Sequence, residues 1–386
     1  MRALRPIYLD HCATTPLDSA VLDAMLPFFR DAFGNPGTPH PSVGGFVQRA
    51  IRKAREQTAE LINCLPNELV WTSGATEANN LAILGHAEDA PNNKRHIITQ
   101  VTEHSAVLEP CRYLESKGWS VTYLPVDSQG LVDAIQLVDS ITSGTSLVSI
   151  MWGNNEIGTL QPIQKIAEIC EEHGVAFHCD AVQAVGKITI DLQSIPISTL
   201  SLSAHKFYGP KGIGALFVRD LAKRSHIKPR MFGGGQEAGL RAGTHNGPGI
   251  VGMGAACTLA HQNQSHWSEH TQKLRDAFEA LLLGSLDDIS VNGSPTDRLP
   301  HVSNISFHGT DNEGLLTMIP DIVASTGAAC HVADFTPSHV LTAINKSRDS
   351  VASSLRFGFG KENTDEEIQL AVKLLVAGVH SLRTEG

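Results

Sequence analysis

Short apolar runs alternate with amphipathic segments over most of the chain. Seven runs predict β-strands, at residues 69–71, 96–98, 120–124, 147–151, 175–178, 199–202 and 213–218. Apolar residues at helical spacing predict helices between them, for example over 43–62, where Ser42 is the expected cap, and over 106–115 and 163–172. Strands separated by helices of this length predict an α/β fold with a large, mixed, mostly parallel sheet and helices on both faces.

The C-terminal third of the chain has a different pattern. A long helix predicted over 249–283 leads into strands at 302–307, 322–325 and 353–357 and helices at 313–319, 337–345 and 364–383. We therefore expect two domains. Residues 15–260 form the large α/β domain, and residues 1–14 together with 261–386 form a smaller α+β domain.

Composition narrows the class of protein. The 386 residues are 41% hydrophobic with 34 glycines, an ordinary globular proportion, and the formal charge of −10 disfavours binding to nucleic acid by phosphate neutralisation. No apolar run approaches the ~20 residues that span a bilayer, and the first residues lack the apolar core of a signal peptide. Seven cysteines without a CxxC pair predict neither a disulfide scaffold nor a zinc site, so we expect a reducing, cytoplasmic location.

The segment 72–80, Thr-Ser-Gly-Ala-Thr-Glu-Ala-Asn-Asn, lies where a predicted strand ends and a helix begins. Small residues let backbone N–H groups approach an anion there, and the helix dipole favours negative charge, so the segment is a candidate phosphate site. The alternative is an ordinary helix start with Thr76 as its N-cap.

Two further strand ends carry a carboxylate and an amine. Asp180 follows the run 175–178, where a buried carboxylate needs a positive partner or else caps a helix. Lys206 follows the run 199–202, where partial burial suits an amine that forms a Schiff base. A phosphate turn, a carboxylate for a pyridinium nitrogen and a lysine are together the parts of a pyridoxal-phosphate site.

Cys330 lies among small residues in the run 324–331, beside His331, and a second histidine follows in 336–339. An accessible thiol with a polar neighbour is a candidate thiolate nucleophile. Cys64, Cys111, Cys170 and Cys257 fall in predicted helices and Cys179 ends a strand, which favours buried structural roles; Cys12 is left open.

Arg356 interrupts an apolar strand pattern, so it needs a carboxylate partner. That partner is either the carboxylate of an amino-acid substrate or an acidic residue of the chain. The turn at 154–159, which contains Asn155, follows another strand end and offers side-chain hydrogen bonds at the same edge of the sheet.

These motifs together resemble the cysteine desulfurase family, within the fold-type I, class-V aminotransferase superfamily of pyridoxal-phosphate enzymes. The resemblance extends nearly from end to end. It rests on the motifs at residues 8–10, 13–16, 72–80, 102–105, 154–159, 178–183, 203–209, 241–244, 330 and 354–357.

The resemblance implies a role for each matching residue. Lys206 would hold the cofactor covalently, Asp180 would contact its ring nitrogen, Gln183 its phenolic oxygen, and His104 would stack on the ring and act as an acid and base. The remaining roles are phosphate binding by Ala75, Thr76, Ser203, His205 and the partner subunit's Thr244, substrate carboxylate binding by Asn155 and Arg356, and sulfur acceptance by Cys330. Because Thr244 would come from the partner subunit, the resemblance also implies a homodimer.

The implied reaction converts L-cysteine to L-alanine and leaves the sulfur as a persulfide on Cys330. An acceptor protein, such as an iron–sulfur scaffold or a thiolation factor, would then receive it. The small residues before Cys330 and the following His331 also resemble the selenocysteine lyase branch, which is one alternative. An aminotransferase on the same fold and a non-enzymatic carrier of metal or sulfur that uses the histidines and cysteines are the others.

Overall fold

The computed structural model describes residues 6–221, 227–326, 337–344 and 346–385. Within them the strands are β1 (Ile7–Tyr8), β2 (Leu69–Thr72), β3 (His96–Gln100), β4 (Ser120–Leu124), β5 (Thr145–Ser149), β6 (Ala176–Asp180), β7 (Thr199–Ser203), β8 (Gly214–Val218), β9 (Ile289–Val291), β10 (Val302–Phe307), β11 (Ile322–Val323) and β12 (Ser354–Gly358). The helices are α1 (Ser19–Met25), α2 (Pro27–Arg30), α3 (Gly44–Ile62), α4 (Ala75–Asp89), α5 (Ser105–Ser116), α6 (Ala134–Ser140), α7 (Ile163–Glu172), α8 (Gly247–Leu283), α9 (Asn312–Met318), α10 (His339–Ala343), α11 (Arg348–Ala352) and α12 (Asp365–Glu385).

A seven-stranded sheet in the order β2-β8-β7-β6-β5-β3-β4 forms the frame of the protein. The five adjacent strands β4, β3, β5, β6 and β7 are parallel to one another, while β8 is antiparallel to both β2 and β7. Phe177 and Leu200 on the central strands have no exposed surface, because helices cover both faces of the sheet. The predicted mixed, mostly parallel α/β sheet is confirmed.

A smaller antiparallel sheet, β12-β10-β9, and the pair β1-β11 lie around a second apolar cluster. Helix α8 contributes to both clusters: Ile250 and Ala260 pack in the first, and Leu274 and Phe278 pack in the second. We therefore propose that the two domains divide within α8, where the sequence-based boundary at residues 260 and 261 also lies.

Most predicted elements are found within a few residues of their expected ends, but the helix caps differ. The carbonyl of His40 accepts hydrogen bonds from the N–H groups of Val43 and Gly45, so α3 begins without a cap from Ser42. Helix α4 begins at Ala75 with Gly74 as its N-cap, so the expectation that Thr76 caps it is wrong. The Thr76 hydroxyl is not needed as a cap.

Two strand and helix boundaries also move. Strand β5 covers Thr145–Ser149 rather than 147–151, because Thr145 pairs with His96 of β3 although its side chain is polar. Cys64 follows the end of α3 and is only half-buried, so its assignment to a helix is wrong. No helix among the described residues is both long enough and apolar enough to cross a membrane.

Candidate active site

A cavity of about 1070 Å³ opens at the carboxyl ends of the parallel strands. Loops and strand ends that are distant in sequence contribute to its wall, as expected for an open α/β sheet. Ten of the predicted site residues line it: Ala75, Thr76, His104, Asn155, Asp180, Gln183, Ser203, His205, Lys206 and Arg356. The fold therefore brings most of the sequence motifs to one place.

Lys206 lies in the single turn of 3₁₀-helix that follows β7. Its Nζ donates hydrogen bonds to the carbonyl oxygens of Cys12, at 2.6 Å, and Ala13, at 2.8 Å. Burial lowers the pKa of this amine to about 8, against an opposing effect from Cys12. The amine therefore loses its proton much closer to neutral pH than an exposed lysine does, which makes it a suitable nucleophile.

Asp180 is the last residue of β6 and is 7% exposed. One carboxylate oxygen accepts a hydrogen bond from Asn79 Nδ2 at 2.6 Å, and the other accepts one from the N–H of Val182 at 3.1 Å. The Asn79 carbonyl oxygen is 3.0 Å from His178 Nε2, and His178 Nδ1 is 2.9 Å from the Thr199 hydroxyl. This chain of bonds fixes the direction in which the carboxylate points.

Burial lowers the pKa of His178 to about 3, so this imidazole is neutral. Since the Asn79 oxygen can only accept, His178 carries its proton on Nε2. Asn79 then presents its amide N–H to Asp180 and cannot turn over without losing both bonds. Neither Asn79 nor His178 was assigned a role from sequence, although both lie within motifs that were singled out.

His104 caps α5 and faces the cavity. Its Nδ1 accepts a hydrogen bond from the N–H of Ala106 at 3.1 Å, so the neutral ring carries its proton on Nε2. Burial lowers the His104 pKa, and the negative charge of Asp180 opposes that effect. The cap therefore fixes both the tautomer and the orientation of the ring.

The predicted phosphate turn approaches the ends of β7 and β8. The first N–H groups of α4 have no acceptor within the helix, and they lie beside the hydroxyls of Thr76 and Ser203 in the cavity wall. His205 Nδ1 is 3.1 Å from the Thr14 hydroxyl, and burial lowers the pKa of His205 to about 4. This end of the cavity thus offers neutral donors and a helix N-terminus to an anion.

Arg356 also lines the cavity and is buried. Its Nη2 donates to Asp10 at 2.7 Å, and its Nη1 donates to the carbonyl oxygen of Asn155 at 3.1 Å. The structural ion pair that the sequence left open is therefore present. The Nε atom is buried and has no partner among the described residues, so the guanidinium keeps one unused donor.

Comparisons with known proteins place this geometry in a family. The family model "Aminotransferase class-V" matches residues 7–370. The human cysteine desulfurase is 44% identical over 380 residues, which cover 98% of this chain and 83% of that protein. The cysteine desulfurase IscS of Methylococcus capsulatus is 46% identical over 378 residues, which cover 98% and 93%. The chain belongs to the cysteine desulfurase family.

Solved structures support the same placement. A structure described as a NifS-like protein superposes with a TM-score of 0.91 at 36% identity, covering 97% of this chain and all of the other. A structure described as SspA in complex with cysteine has a TM-score of 0.82 at 38% identity, covering 93% of this chain. The predicted cysteine desulfurase resemblance is confirmed.

Cysteine desulfurases use pyridoxal phosphate, and the residues of this cavity fit that group. The buried amine of Lys206 has no carboxylate partner within hydrogen-bond distance among the described residues and has a lowered pKa, as a carbonyl-binding lysine requires. The carboxylate of Asp180 accepts hydrogen bonds from two neutral donors and lines the cavity, so it fits a cationic ring nitrogen.

Two predicted residues are not placed in this cavity wall by the part of the chain that the structure describes. Thr244 is exposed and lies in the turn before α8, outside the wall, so this chain alone does not bring it to the site. Cys330 and the adjacent His331 lie outside the described residues. The role of both positions in a cysteine desulfurase stays a prediction.

The segment that carries Thr244 is held by a buried carboxylate that sequence analysis did not single out. Glu237 accepts hydrogen bonds from Arg55, at 2.7 Å, from the N–H of Trp71, at 2.8 Å, and pairs with His245 at 2.6 Å. His245 is the residue after Thr244, so these bonds fix the turn relative to β2. The sequence does not predict these contacts, because Glu237 is a single glutamate in a glycine-rich stretch without a recognisable motif.

The six described cysteines are free thiols. Burial raises the pKa of Cys111, Cys170 and Cys257 to about 12, so these thiols stay protonated, as expected for structural cysteines. Cys12 is buried in the cavity wall, where its carbonyl oxygen accepts hydrogen bonds from Lys206 and from Gln183 Nε2. The backbone carbonyl of Cys12 therefore orients two side chains of the site.

Proposed function

We propose that this protein is a pyridoxal-phosphate-dependent cysteine desulfurase that converts L-cysteine to L-alanine and keeps the sulfur as a persulfide on Cys330. The observation that carries the proposal is the buried Lys206 amine. It faces the same cavity as Asp180 and Arg356, in a chain that matches cysteine desulfurases along nearly its whole length.

The proposed cofactor site uses the residues of the cavity in three groups. Lys206 would bond the cofactor, Asp180 and Gln183 would contact its ring, and His104 would stack on it. Ala75, Thr76, Ser203 and His205 would hold its phosphate at the N-terminus of α4. When bound, pyridoxal phosphate supplies an electron sink that stabilises negative charge at the Cα of the substrate.

The substrate carboxylate is proposed to bind Arg356 and the side chain of Asn155. The guanidinium of Arg356 lines the cavity, and the Asp10 ion pair and the Asn155 carbonyl hold it in place. A charge-assisted bond to a preorganised guanidinium is stronger than one to a mobile side chain.

His104 is proposed to move protons at the substrate. Its Nδ1 accepts the N–H of Ala106, so the neutral ring takes up a proton only when that bond opens and frees the Nδ1 lone pair, and the resulting imidazolium can then give up the proton on Nε2. The burial that lowers its pKa keeps the ring neutral at pH 7, as a group that exchanges protons without holding a fixed charge requires.

Sulfur is proposed to pass from the substrate to Cys330 by nucleophilic attack of the thiol. The Cys330 thiol loses its proton and attacks the substrate sulfur, the carbon–sulfur bond breaks toward carbon, and the carbon takes up a proton to become the methyl group of alanine. The product on the enzyme is a persulfide. An acceptor protein with its own thiol, in iron–sulfur assembly or thiolation, is proposed to remove the terminal sulfur.

We propose that the working form is a homodimer in which Thr244 serves the phosphate of the partner subunit. Apolar side chains are exposed along residues 17–46, including Phe29, Phe33 and Phe46. The buried Val47, one residue after Phe46, packs close to Gly247 at the start of α8, which brings this part of the chain near the segment that carries Thr244. A second copy of the chain would cover the exposed apolar side chains.

We propose a cytoplasmic location for the protein. The six described cysteines are unpaired, as expected in a reducing compartment. Fractionation of cells that produce the protein, followed by detection in the cytoplasmic fraction, tests this.

Alanine release from purified protein tests the activity. We expect L-alanine from L-cysteine with the wild-type protein and none with Lys206→Ala, while Lys165→Ala, at an exposed position on α7 outside the cavity wall, keeps the activity. Alanine from L-selenocysteine but not from L-cysteine would identify a selenocysteine lyase instead. Full activity on cysteine in Cys330→Ala would contradict the persulfide step.

A further inference from the structure

Glu103 is a fully buried residue next to His104, and the proposed function gives its carboxyl group no role. Its Oε1 accepts hydrogen bonds from the N–H of Met151, at 2.5 Å, and from Gln100 Nε2, at 2.8 Å. Gln100 ends β3, whereas Met151 follows β5 and lines the cavity. One carboxyl oxygen therefore connects the segment that leads to His104 with another segment of the cavity wall.

The same two segments are joined at a second point. Asn154 Nδ2 donates a hydrogen bond to the backbone carbonyl oxygen of Thr102 at 3.0 Å. Thr102 lies two residues before His104, and Asn154 is followed by Asn155, which is proposed to bind the substrate carboxylate. The position of His104 relative to Asn155 therefore depends on this bond and on the contacts of Glu103.

The second carboxyl oxygen of Glu103 lacks a donor. Glu103 Oε2 and Gln100 Oε1 are both buried, and neither has a hydrogen-bond partner among the described residues. Thr102 Oγ1 is buried without a partner as well, so its hydroxyl does not supply the missing donor. Native structures rarely leave buried polar atoms unpaired. Because the bond from Gln100 Nε2 places the amide beside the carboxyl group, a proton on Oε2 would add the donor that this pair lacks.

The surroundings of the Glu103 carboxyl group favour its uncharged form. Burial and the negative charge of Asp180 raise the pKa of Glu103 to about 8, against the hydrogen bonds that the group accepts. The thiols of Cys111 and Cys179 are close to it and stay protonated, because burial raises the pKa of both. None of these neighbours provides a positive charge.

The nearby imidazoles do not provide one either. His104 is neutral at pH 7 because burial lowers its pKa. His339 Nε2 lies 2.9 Å from the backbone carbonyl oxygen of Glu103, so it bonds to the backbone and not to the carboxyl group. In the part of the chain that the structure describes, no lysine or arginine pairs with Glu103.

We propose that Glu103 is a positioning residue that acts as an uncharged acid, and that its carboxyl group fixes the position of His104 relative to Asn155. The inference rests on the proposed function for the roles of His104 and Asn155. Oε1 accepts from Met151 and Gln100, while the proton on Oε2 is donated to Gln100 Oε1. Ionisation of Glu103 removes that donor and leaves an unpaired negative charge in the interior, which is costly.

Infrared difference spectroscopy of the holoenzyme tests the uncharged acid directly. The spectrum of Glu103→Gln is subtracted from that of the wild type. We expect the difference at pH 7 to contain the carbonyl stretch of a protonated carboxylic acid, which disappears with a midpoint near pH 8. Glu109→Gln, at an exposed position on α5, is the control and gives no such band. A difference at pH 7 that contains only the band of a carboxylate would overturn the inference.

The rate of alanine release from L-cysteine tests the positioning role. Glu103→Leu can accept neither hydrogen bond, so we expect kcat to fall about 100-fold, as it does when a catalytic group is misplaced by about 1 Å. Glu103→Gln keeps an acceptor for Met151 and a donor for Gln100 without a charge, so we expect it to recover most of that loss at pH 7.

The pH dependence separates this role from that of an ordinary structural contact. We expect the ratio of the Glu103→Gln rate to the wild-type rate to be constant below about pH 7 and to rise above about pH 8, where only the wild type acquires the buried charge. Taking the ratio removes the titration of every group that the two proteins share.

The outcomes distinguish the inference from the proposed function. A wild-type rate in Glu103→Leu, a rate in Glu103→Gln as low as that in Glu103→Leu, or a ratio that does not change with pH would overturn the inference and leave the desulfurase intact. If Glu103→Leu does not fold, the infrared band and the pH dependence of Glu103→Gln still decide the inference. Absence of alanine from the wild type would overturn the proposed function, and the positioning role with it.

Discussion

The carboxylate of Asp180 depends on Asn79 and His178 for its orientation. Both neighbours are buried, and the three side chains come from α4 and from two positions of β6. Sequence alone indicates Asp180 because a carboxylate at the end of an apolar strand is costly. It does not indicate Asn79, because that contact depends on how α4 packs across β6.

Replacing Asn79 should weaken cofactor binding. Asn79→Ala removes the 2.6 Å bond to Asp180 and leaves His178 without its acceptor. A hydrogen bond to a buried charged group contributes about 1.5–3 kcal/mol, so we expect the dissociation constant of pyridoxal phosphate to rise by roughly 10- to 100-fold. Titration of the apoprotein, followed by absorbance, measures it.

The neighbouring Asn80→Ala is the control, because the one partner of the Asn80 amide within the described part of the chain is the backbone carbonyl of Thr76. An equal loss of affinity in both variants would contradict the assigned role of Asn79.

The lowered pKa of Lys206 makes cofactor uptake dependent on pH. Below a pKa of about 8 the amine is protonated and cannot attack a carbonyl carbon, while above it the amine is free. The rate of association of pyridoxal phosphate with the apoprotein should therefore rise about tenfold per pH unit up to about pH 8 and then level. Stopped-flow absorbance gives the profile. A midpoint near 10, the ordinary value for lysine, would show that burial does not activate this amine.

At the scale of elements, the position of the phosphate turn depends on its close backbone approach to β8. A Cβ on Gly214 would lie 2.6 Å from the carbonyl oxygen of Leu202 and 2.8 Å from Cα of Gly74, both backbone atoms.

Hydrophobic periodicity in the sequence locates nearly all of the strands and helices, because the two kinds of element alternate along the chain. Caps and close backbone approaches escape that method, because they depend on neighbours distant in sequence, as the errors at Ser42 and Thr76 illustrate.

Gly214→Ala should push Gly74 away from its position. We expect a loss of about 1–3 kcal/mol in the free energy of unfolding, typical of overpacking, together with weaker binding of pyridoxal phosphate. Denaturant unfolding and cofactor titration measure the two effects. Gly235→Ala is the control, since no heavy atom lies within 4 Å of the added Cβ. Wild-type cofactor affinity in Gly214→Ala would show that the turn does not need this approach.

At the scale of the whole molecule, the sequence predicted the sheet and the family, and ten of its candidate residues line one cavity, because its motifs mark successive strand ends of one sheet. What it could not supply is the placement of Thr244 relative to the site. That residue is exposed and is not part of the cavity wall of its own chain, so the role proposed for it requires a partner subunit.

The exposed apolar surface along residues 17–46 should mediate dimer formation. Phe33 is 74% exposed, so Phe33→Glu places a charge on the surface without disturbing the core of the monomer. We expect this variant to shift toward monomers and to bind pyridoxal phosphate more weakly, because the partner's Thr244 is lost. Sedimentation velocity and cofactor titration measure both. Ile135→Glu, at a position 68% exposed on α6, is the control and should stay dimeric. A dimeric Phe33→Glu would move the interface elsewhere.

The most direct test of the desulfurase assignment is the location of sulfur after reaction with L-cysteine. The protein is treated with L-cysteine, alkylated, digested and examined by mass spectrometry. We expect an adduct of about 32 Da, one sulfur atom in a persulfide, on the peptide that contains Cys330 and on no other cysteine peptide. The adduct should be absent from Lys206→Ala. Sulfur on Cys12 or Cys64 instead, or alanine release with no protein-bound sulfur, would contradict the account.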